Sequence, residues 1–131
     1  MTGLTRWLPR LTTGLGIVHL VYGVAESPGV IADMLGEGLI AASDDYRRDF
    51  VTWFFIGGLT LLTVGSMMRW AIRQTGRVPA HLGWWLTGVG VLDTLLEPDG
   101  GGWALLAIGL LTLYAARPLT AKATSEKALA G

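Results

Sequence analysis

The sequence contains no cysteine and no asparagine, and it carries little charge. The missing cysteine excludes a disulfide framework, a thiol nucleophile and a thiolate metal site. The missing asparagine excludes N-glycosylation. Charged residues make up 15% of the 131 residues and hydrophobic residues 51%, whereas roughly a quarter of the residues of soluble domains are charged. The formal net charge is zero, and no basic stripe with interleaved aromatic residues indicates nucleic-acid binding.

Four apolar segments indicate membrane spans, at about residues 7–25, 50–70, 79–96 and 102–116. A span needs about 20 residues to cross a roughly 30 Å hydrocarbon core. The second segment meets this length easily, and the shorter ones carry interfacial aromatic residues such as Trp7 and Trp103, which anchor a span. The sequence therefore predicts an all-α integral membrane four-helix bundle over residues 1–118, followed by a polar cytoplasmic tail at 119–131.

The connections between these segments alternate in charge. Every Lys and Arg except Arg47 and Arg48 lies at or before the start of the first segment, from the end of the second to the start of the third, or after the fourth. Every acidic residue except Glu126 lies in or beside the first and third connections. By the positive-inside rule both termini face the cytoplasm and the acidic connections face outward. Arginine is also far commoner than lysine, as in GC-rich bacterial genomes, so we expect a multi-pass protein of the bacterial inner membrane.

The first connection, residues 26–49, is too long for a tight turn. Apolar residues recur in it among acidic ones, and glycines interrupt it. We interpret it as a short helix lying at the outer membrane surface, with a disordered loop as the alternative. The first span also resembles a cleavable signal peptide, because arginines precede it and Gly23-Val24-Ala25 ends it. His19 within its apolar run and the three later spans argue against cleavage.

Ionisable residues within spans are the first candidates for a functional site, because charge is costly in a bilayer. His19 and Glu26 share a polar, small-residue arc of the first helix. Asp93 and Glu97 are stacked one turn apart on the third, where two carboxylates repel and tend to share a proton. We expect these arcs to meet in a polar pocket in the outer half of the bundle. The predicted catalytic residues are Asp93, Glu97, His19 and Glu26, and the predicted substrate-binding residues are Trp53, Tyr22 and Thr60.

Protonatable groups in an apolar pocket suit acid–base chemistry on a lipophilic substrate, because burial keeps a carboxylic acid protonated near neutral pH. Asp93 or Glu97 would donate the proton. His19 and Glu26 would tune or accept it, and Trp53 would offer its π face to a cation. A structural interpretation competes, in which Glu26 and Glu97 are hydrated at span ends and His19 donates to a helix carbonyl or to Asp93. No metal is predicted, since the spacing matches no ligand motif, and no cofactor-binding signature occurs.

Four stretches form a wider pattern: GIVH at 16–19, FVTWFFIGG at 50–58, RWAIRQTGRVP at 69–79, and the turn from Pro98 to Trp103. With them the chain resembles, over about residues 10–117, a family of small four-helix bacterial membrane proteins without an assigned function, loosely grouped with DoxX-like proteins. The resemblance implies mainly apolar side chains at Asp93 and Glu97, so these acids depart from the family. In site chemistry alone, the candidate residues are similar to those of four-helix membrane sterol isomerases.

We therefore expect a protein that binds a lipophilic small molecule. The sharper hypothesis is acid-initiated isomerisation or cyclisation of an isoprenoid-like substrate. The alternatives are a non-enzymatic membrane subunit or small transporter, whose acidic residues gate ions or pair across protomers, and a structural accessory protein. The expected partners are membrane lipids and the small molecule, without nucleic acid, and a homo-oligomer is left open.

Overall fold

A computed structural model describes residues 3–118 and 127–131 of the chain. It contains α1 (Gly3–Glu26), α2 (Pro28–Glu37), α3 (Tyr46–Thr75), α4 (Ala80–Leu96) and α5 (Gly102–Ala115). A helical turn follows at 127–129, and the described ranges contain no strand. The predicted all-α class is confirmed. Residues 119–126, which hold most of the predicted polar tail, lie outside the described residues.

Local signals set the ends of α3. Asp45 caps its start, since one carboxylate oxygen accepts the N–H of Arg47 at 2.8 Å and that of Arg48 at 3.0 Å. Gly76 ends it with a left-handed φ of 67°, and the Gly76 N–H donates to the Ile72 carbonyl at 2.8 Å. The helix therefore extends beyond the predicted span, 50–70, at both ends.

The first connection contains a helix, α2, as predicted. The axes of α1 and α2 meet at 83°, and Pro28 begins α2, where its missing N–H costs no helical hydrogen bond. This helix buries none of its residues, and Leu35 within it stays exposed. Its position at a membrane surface stays a prediction.

The four long helices form two antiparallel pairs. Helix α1 packs along α3, α4 packs along α5, and the pairs join through α1 and α5. Leu8 of α1 and Met68 of α3 are fully buried in a small core shared by all four helices. The acidic residues of residues 3–118 lie between the end of α1 and the start of α3, or in the last turn of α4 and just beyond it, and we call this the acidic end. The opposite end, where α1 begins, is the basic end.

Glycines let the helices of each pair approach closely. A Cβ at Gly90 of α4 would lie 2.5 Å from the backbone nitrogen of Leu106 in α5, and one at Gly16 of α1 would lie 3.1 Å from the Gly58 carbonyl oxygen in α3. Small residues at helix contacts are typical of membrane proteins, where close packing replaces the hydrophobic driving force between helices. Buried glycines seven residues apart occur in each long helix: Gly16 and Gly23, Gly58 and Gly65, Gly83 and Gly90, Gly102 and Gly109.

Large apolar side chains mostly face outward from this glycine-rich interior. Val18, Trp70 and Trp85 are examples, each more than 60% exposed. Helix α3, with 30 residues, is long and apolar enough to cross a membrane on its own. Helix α1 passes the same criterion only together with α2 across their bend, and α5 is apolar but shorter. The described chain thus has one clear membrane-span candidate among the four predicted spans.

The two helix pairs repeat each other in sequence. Residues 10–26 align with 77–93, and residues 57–73 align with 101–117. Only the first pair carries an additional helix, α2, between its two long helices. The pairs also differ in register, since Gly16 contacts Gly58 whereas the equivalent Gly83 contacts Leu113. The identical positions are Arg10/Arg77, Leu15/Leu82, Gly16/Gly83, Gly23/Gly90, Val24/Val91, Gly57/Gly101, Gly58/Gly102, Leu61/Leu105, Leu62/Leu106, Gly65/Gly109, Ala71/Ala115 and Arg73/Arg117.

Candidate functional site

His19 is held in the contact between α1 and α3. Its ring stacks on Phe54, with centroids 3.8 Å apart and planes 8° apart, and its Nε2 lies 3.0 Å from the Phe54 carbonyl oxygen. Because a carbonyl only accepts, Nε2 carries the proton, and in the neutral ring Nδ1 is left as an acceptor. A Cβ at Gly57 would lie 3.4 Å from Nε2, so the glycine gives the ring room. His19 thus donates to a helix carbonyl rather than to Asp93.

Phe54 is the centre of an aromatic cluster formed by His19, Tyr22, Phe50 and Phe54. The rings of Phe50 and Tyr22 are tilted against it, with centroids 5.5 Å and 6.0 Å away, and tilted ring pairs are favourable because the edge of one ring meets the face of another. Gly23 accommodates the Phe54 ring, since a Cβ there would lie 2.6 Å from its Cδ1. The cluster joins α1 and α3 near the acidic end, and Tyr22 keeps 55% of its surface exposed.

An open cleft of about 620 Å³ lies beyond this cluster, at the bend between α1 and α2. Phe50 belongs to both the aromatic cluster and the cleft. Glu26 and Asp33 bring carboxylates to the cleft, and Arg47 of α3 brings a guanidinium group. The volume lies within the range of about 300–1,000 Å³ found for small-molecule sites. The cleft therefore offers a ligand an aromatic face with a few charges beside it.

Ion pairs hold the first connection on α3. The Arg48 Nη2 lies 2.7 Å from Glu37 Oε2, and its Nη1 lies 3.3 Å from Asp44 Oδ1. The backbone N–H of Arg48, which donates to Asp45, lowers the pKa of the Asp45 carboxyl below its ordinary 3.8. Since the folded pKa is the lower one, this stabilisation is fully present above the unfolded pKa and is lost as pH falls through the folded value.

Asp93 and Glu97 lie on the other helix pair. Both are exposed at the end of α4, where the Glu97 N–H donates to the Asp93 carbonyl at 2.8 Å. Within residues 3–118 neither carboxylate forms a hydrogen bond or an ion pair. Helix α4 packs on α5, whereas His19 and Glu26 lie on α1, which packs on α3. The structure brings His19, Tyr22 and Glu26 to one end of α1, whereas Asp93 and Glu97 belong to neither the aromatic cluster nor the cleft. Their catalytic role stays a prediction.

Trp53 and Thr60 lie on the exposed surface of α3. Trp53 is 69% exposed, and the Thr60 hydroxyl donates to the Ile56 carbonyl at 2.8 Å. Neither residue lines the cleft, so of the three predicted substrate-binding residues only Tyr22 belongs to the aromatic cluster.

Tyr46, Phe50 and Phe54 form the part of the site that the sequence analysis did not single out. They recur every four residues along α3, so they share one face of the helix, and this spacing is readable from the sequence. Arg47 and Asp33 gave no comparable signal. The bend between α1 and α2 brings the Asp33 and Arg47 side chains to the same cleft. No local sequence pattern predicts the angle of this bend.

The acidic residues are spread over the acidic end rather than clustered. In the described ranges no group of three or more His, Cys, Asp or Glu side chains is placed to hold a metal ion. A ligand in the cleft would therefore contact individual charged side chains rather than a cluster of carboxylates.

Residues 3–118 match the model of a protein family of unknown function, DUF6463. The match covers the stretch in which the sequence resembles membrane proteins without an assigned function, and it makes no connection to DoxX-like proteins or to bacteria. Comparison with curated proteins and with solved structures finds no match.

Proposed function

Because the chain belongs to this family, to which no activity is assigned, we propose its function from its own residues: it is an integral membrane protein that binds a lipophilic small molecule in the cleft at the acidic end. The observation that carries the proposal is the aromatic cluster opening into a cleft lined by Glu26 and Arg47. Apolar parts of the ligand contact Phe50 and Tyr46, and a polar group of the ligand is oriented by the charged side chains.

The distribution of side chains supports a membrane location with four spans, α1, α3, α4 and α5. Large apolar side chains face outward while glycines are buried, which suits lipid rather than water as the surrounding medium. At 1.5 Å per residue α3 extends about 45 Å, more than the roughly 30 Å of a hydrocarbon core. Helix α5 extends only about 21 Å, so the bilayer thins around it or its flanking residues take part. The charge asymmetry supports a topology with both termini in the cytoplasm, and we propose a bacterial inner membrane as the location.

Reporter fusions test this topology. Fusions at Thr75 and Ala123 are expected to report the cytoplasm, and a fusion at Ser43 is expected to report the external side, because basic residues flank the first two sites and carboxylates the third. An external signal at Thr75 would contradict the arrangement. The control is a Ser43 fusion carrying Arg47→Gln and Arg48→Gln, which removes the only basic residues of that connection and should leave the signal external.

Acid-initiated isomerisation or cyclisation of an isoprenoid-like ligand is the enzymatic form of the proposal. Glu26 and Asp33 are the carboxyl groups that line the cleft, and we assign the acid–base role to Glu26. The sequence analysis gives this role to Asp93 or Glu97, which lie outside the cleft. A non-enzymatic subunit or small transporter would bind the same ligand without converting it.

Lipophilic compounds that co-purify with the protein test both binding and chemistry. Glu26→Gln is expected to lower the amount of retained ligand about tenfold, because a charged hydrogen bond contributes about 1.5–3 kcal/mol and 1.4 kcal/mol is a factor of ten in affinity. The matched control, Asp93→Asn with Glu97→Gln, should retain the wild-type amount. If the control retains less ligand and Glu26→Gln retains the wild-type amount, the ligand binds at α4 instead. A product isomeric with the ligand, formed by wild type and not by Glu26→Gln, would identify the enzyme.

A further inference from the structure

Six arginines surround the basic end, and within residues 3–118 none of them is paired with a carboxylate. All six are exposed, and both ion pairs in that range belong to Arg48 at the other end. The acidic residues of the same range all lie at the acidic end. Within this part of the chain the basic end thus presents concentrated positive charge without a counter-charge. The residues are Arg6, Arg10, Arg69, Arg73, Arg77 and Arg117.

Four of these arginines lie on one side of the α1–α3 pair. Arg6 and Arg10 each follow a buried residue of α1 by one position, and Arg69 and Arg73 do the same on α3. One residue is a rotation of about 100° about the helix axis, and in an antiparallel pair the same step turns both helices towards the same side. We call Arg6, Arg10, Arg69 and Arg73 the arginine face.

The arginines of α1 and those of α3 overlap in height along the pair. A Cβ at Gly65 of α3 would lie 3.0 Å from the Thr13 nitrogen and 3.2 Å from the Pro9 carbonyl oxygen of α1, so Gly65 lies level with the turn between these two residues. One turn further towards the basic end, Arg69 on α3 therefore lies between the levels of Arg6 and Arg10 on α1. The four arginines thus border one surface of the pair.

Exposed aromatic and aliphatic side chains continue the arginine face along α1, as the apolar part of a bound lipid would require. The Arg10 guanidinium lies over the Trp7 ring, 5.4 Å from its centroid, and Trp7 itself is exposed. Exposed Trp beside Arg is typical of the headgroup level of a bilayer. Seven residues beyond Arg10, Ile17 continues the same face of α1 towards the acidic end and is 52% exposed, as is Val21 at 63%.

We propose that the arginine face binds the headgroup phosphates of anionic phospholipids, with the acyl chains lying along Ile17 and Val21. The proposal rests on the membrane location proposed above. Guanidinium groups hold phosphate oxygens in pairs of parallel hydrogen bonds, and unpaired basic residues at a membrane surface attract anionic lipid. The exposed aliphatic stripe favours a lipid over free phosphate, because free phosphate has no apolar part to cover it.

The test compares lipid retention by the purified full-length protein from an equimolar mixture of phosphatidylglycerol and phosphatidylcholine. Wild type is expected to retain phosphatidylglycerol preferentially. Arg10→Gln with Arg69→Gln should lower that retention about tenfold, because charge-assisted hydrogen bonds are lost. Arg77→Gln with Arg117→Gln removes the same charge outside the arginine face and should change retention little. An equal loss in both variants, or none in either, would overturn the proposal.

Three further tests separate the causes of a negative result. Lysine at all four positions of the arginine face keeps the charge and the topology but loses the paired hydrogen bonds, so an intermediate retention is expected and an unchanged one contradicts the geometry. Inorganic phosphate that displaces phosphatidylglycerol at equal concentration would show a phosphate site rather than a lipid site.

Extraction by alkaline carbonate tests the membrane location itself. A chain that alkaline carbonate extracts from membranes would overturn that location. A chain that stays in the membrane but shows no lipid preference would overturn only the lipid binding proposed for the arginine face.

Discussion

Gly90→Ala is expected to destabilise the protein by about 1–3 kcal/mol, because it forces a methyl group between two helix backbones. The Cβ would lie 2.5 Å from the Leu106 nitrogen and 2.7 Å from the Leu106 Cα. Neither atom can turn aside as the end of a flexible side chain can, so α4 and α5 must separate. Thermal unfolding of the purified protein, followed by circular dichroism, measures the change.

Gly88→Ala is the matched control, two residues away on the same helix. Nothing lies within 4 Å of a Cβ at Gly88. Alanine is the better helix former by about 0.5–1 kcal/mol, so this variant is expected to be as stable as wild type or more stable. Two variants of equal stability would show that Gly90 does not lie in a helix contact. On α1, Gly16→Ala and Gly14→Ala repeat the comparison, since only Gly16 meets neighbouring atoms.

Phe54→Ala is expected to lower ligand retention at least tenfold and to destabilise the protein by about 2–4 kcal/mol. The substitution removes the ring on which His19 stacks and against which Phe50 is tilted, and it leaves a void at Gly23. Retention is measured from the co-purified lipophilic compounds and stability from thermal unfolding. The chain has only two histidines, so the ring resonances of His19 can be followed by nuclear magnetic resonance, with exposed His81 as an internal reference.

Phe55→Ala is the control for this variant, because Phe55 is the next residue of α3 and belongs to neither the aromatic cluster nor the cleft. It should leave the His19 resonances and the retained ligand unchanged. If Phe55→Ala lowers retention as much as Phe54→Ala, the ligand does not depend on the aromatic cluster. Unchanged His19 resonances in Phe54→Ala would contradict the stacked geometry.

The helices themselves were predictable from the sequence. Apolar runs end where glycine, proline or acidic residues occur, and these local signals act in the structure too, as Asp45 and Gly76 show at the two ends of α3. The predicted polar arcs are buried only in part, since Gly16 and Gly83 on them are buried whereas Glu26, Asp93 and Glu97 are exposed. Periodicity gives the face that a helix buries because it depends only on the rotation per residue.

The partner of each face was not predictable in the same way. We expected the arcs of His19 and Asp93 to meet, but the buried arc of α1 packs on α3 and that of α4 packs on α5. Glycine stripes are present on all four helices, so each face fits several partners and the sequence does not distinguish them. The cleft depends in addition on the 83° bend between α1 and α2, which is a tertiary property.

The repeated helix pairs differ in what they place at the acidic end. Glu26 and Asp93 occupy equivalent positions in the two pairs. Only the first pair carries α2, whose bend places Glu26 in a cleft, whereas the second pair has a short turn that leaves Asp93 exposed. The cleft thus belongs to one half of the repeat, because only that half has a helix that bends over its end.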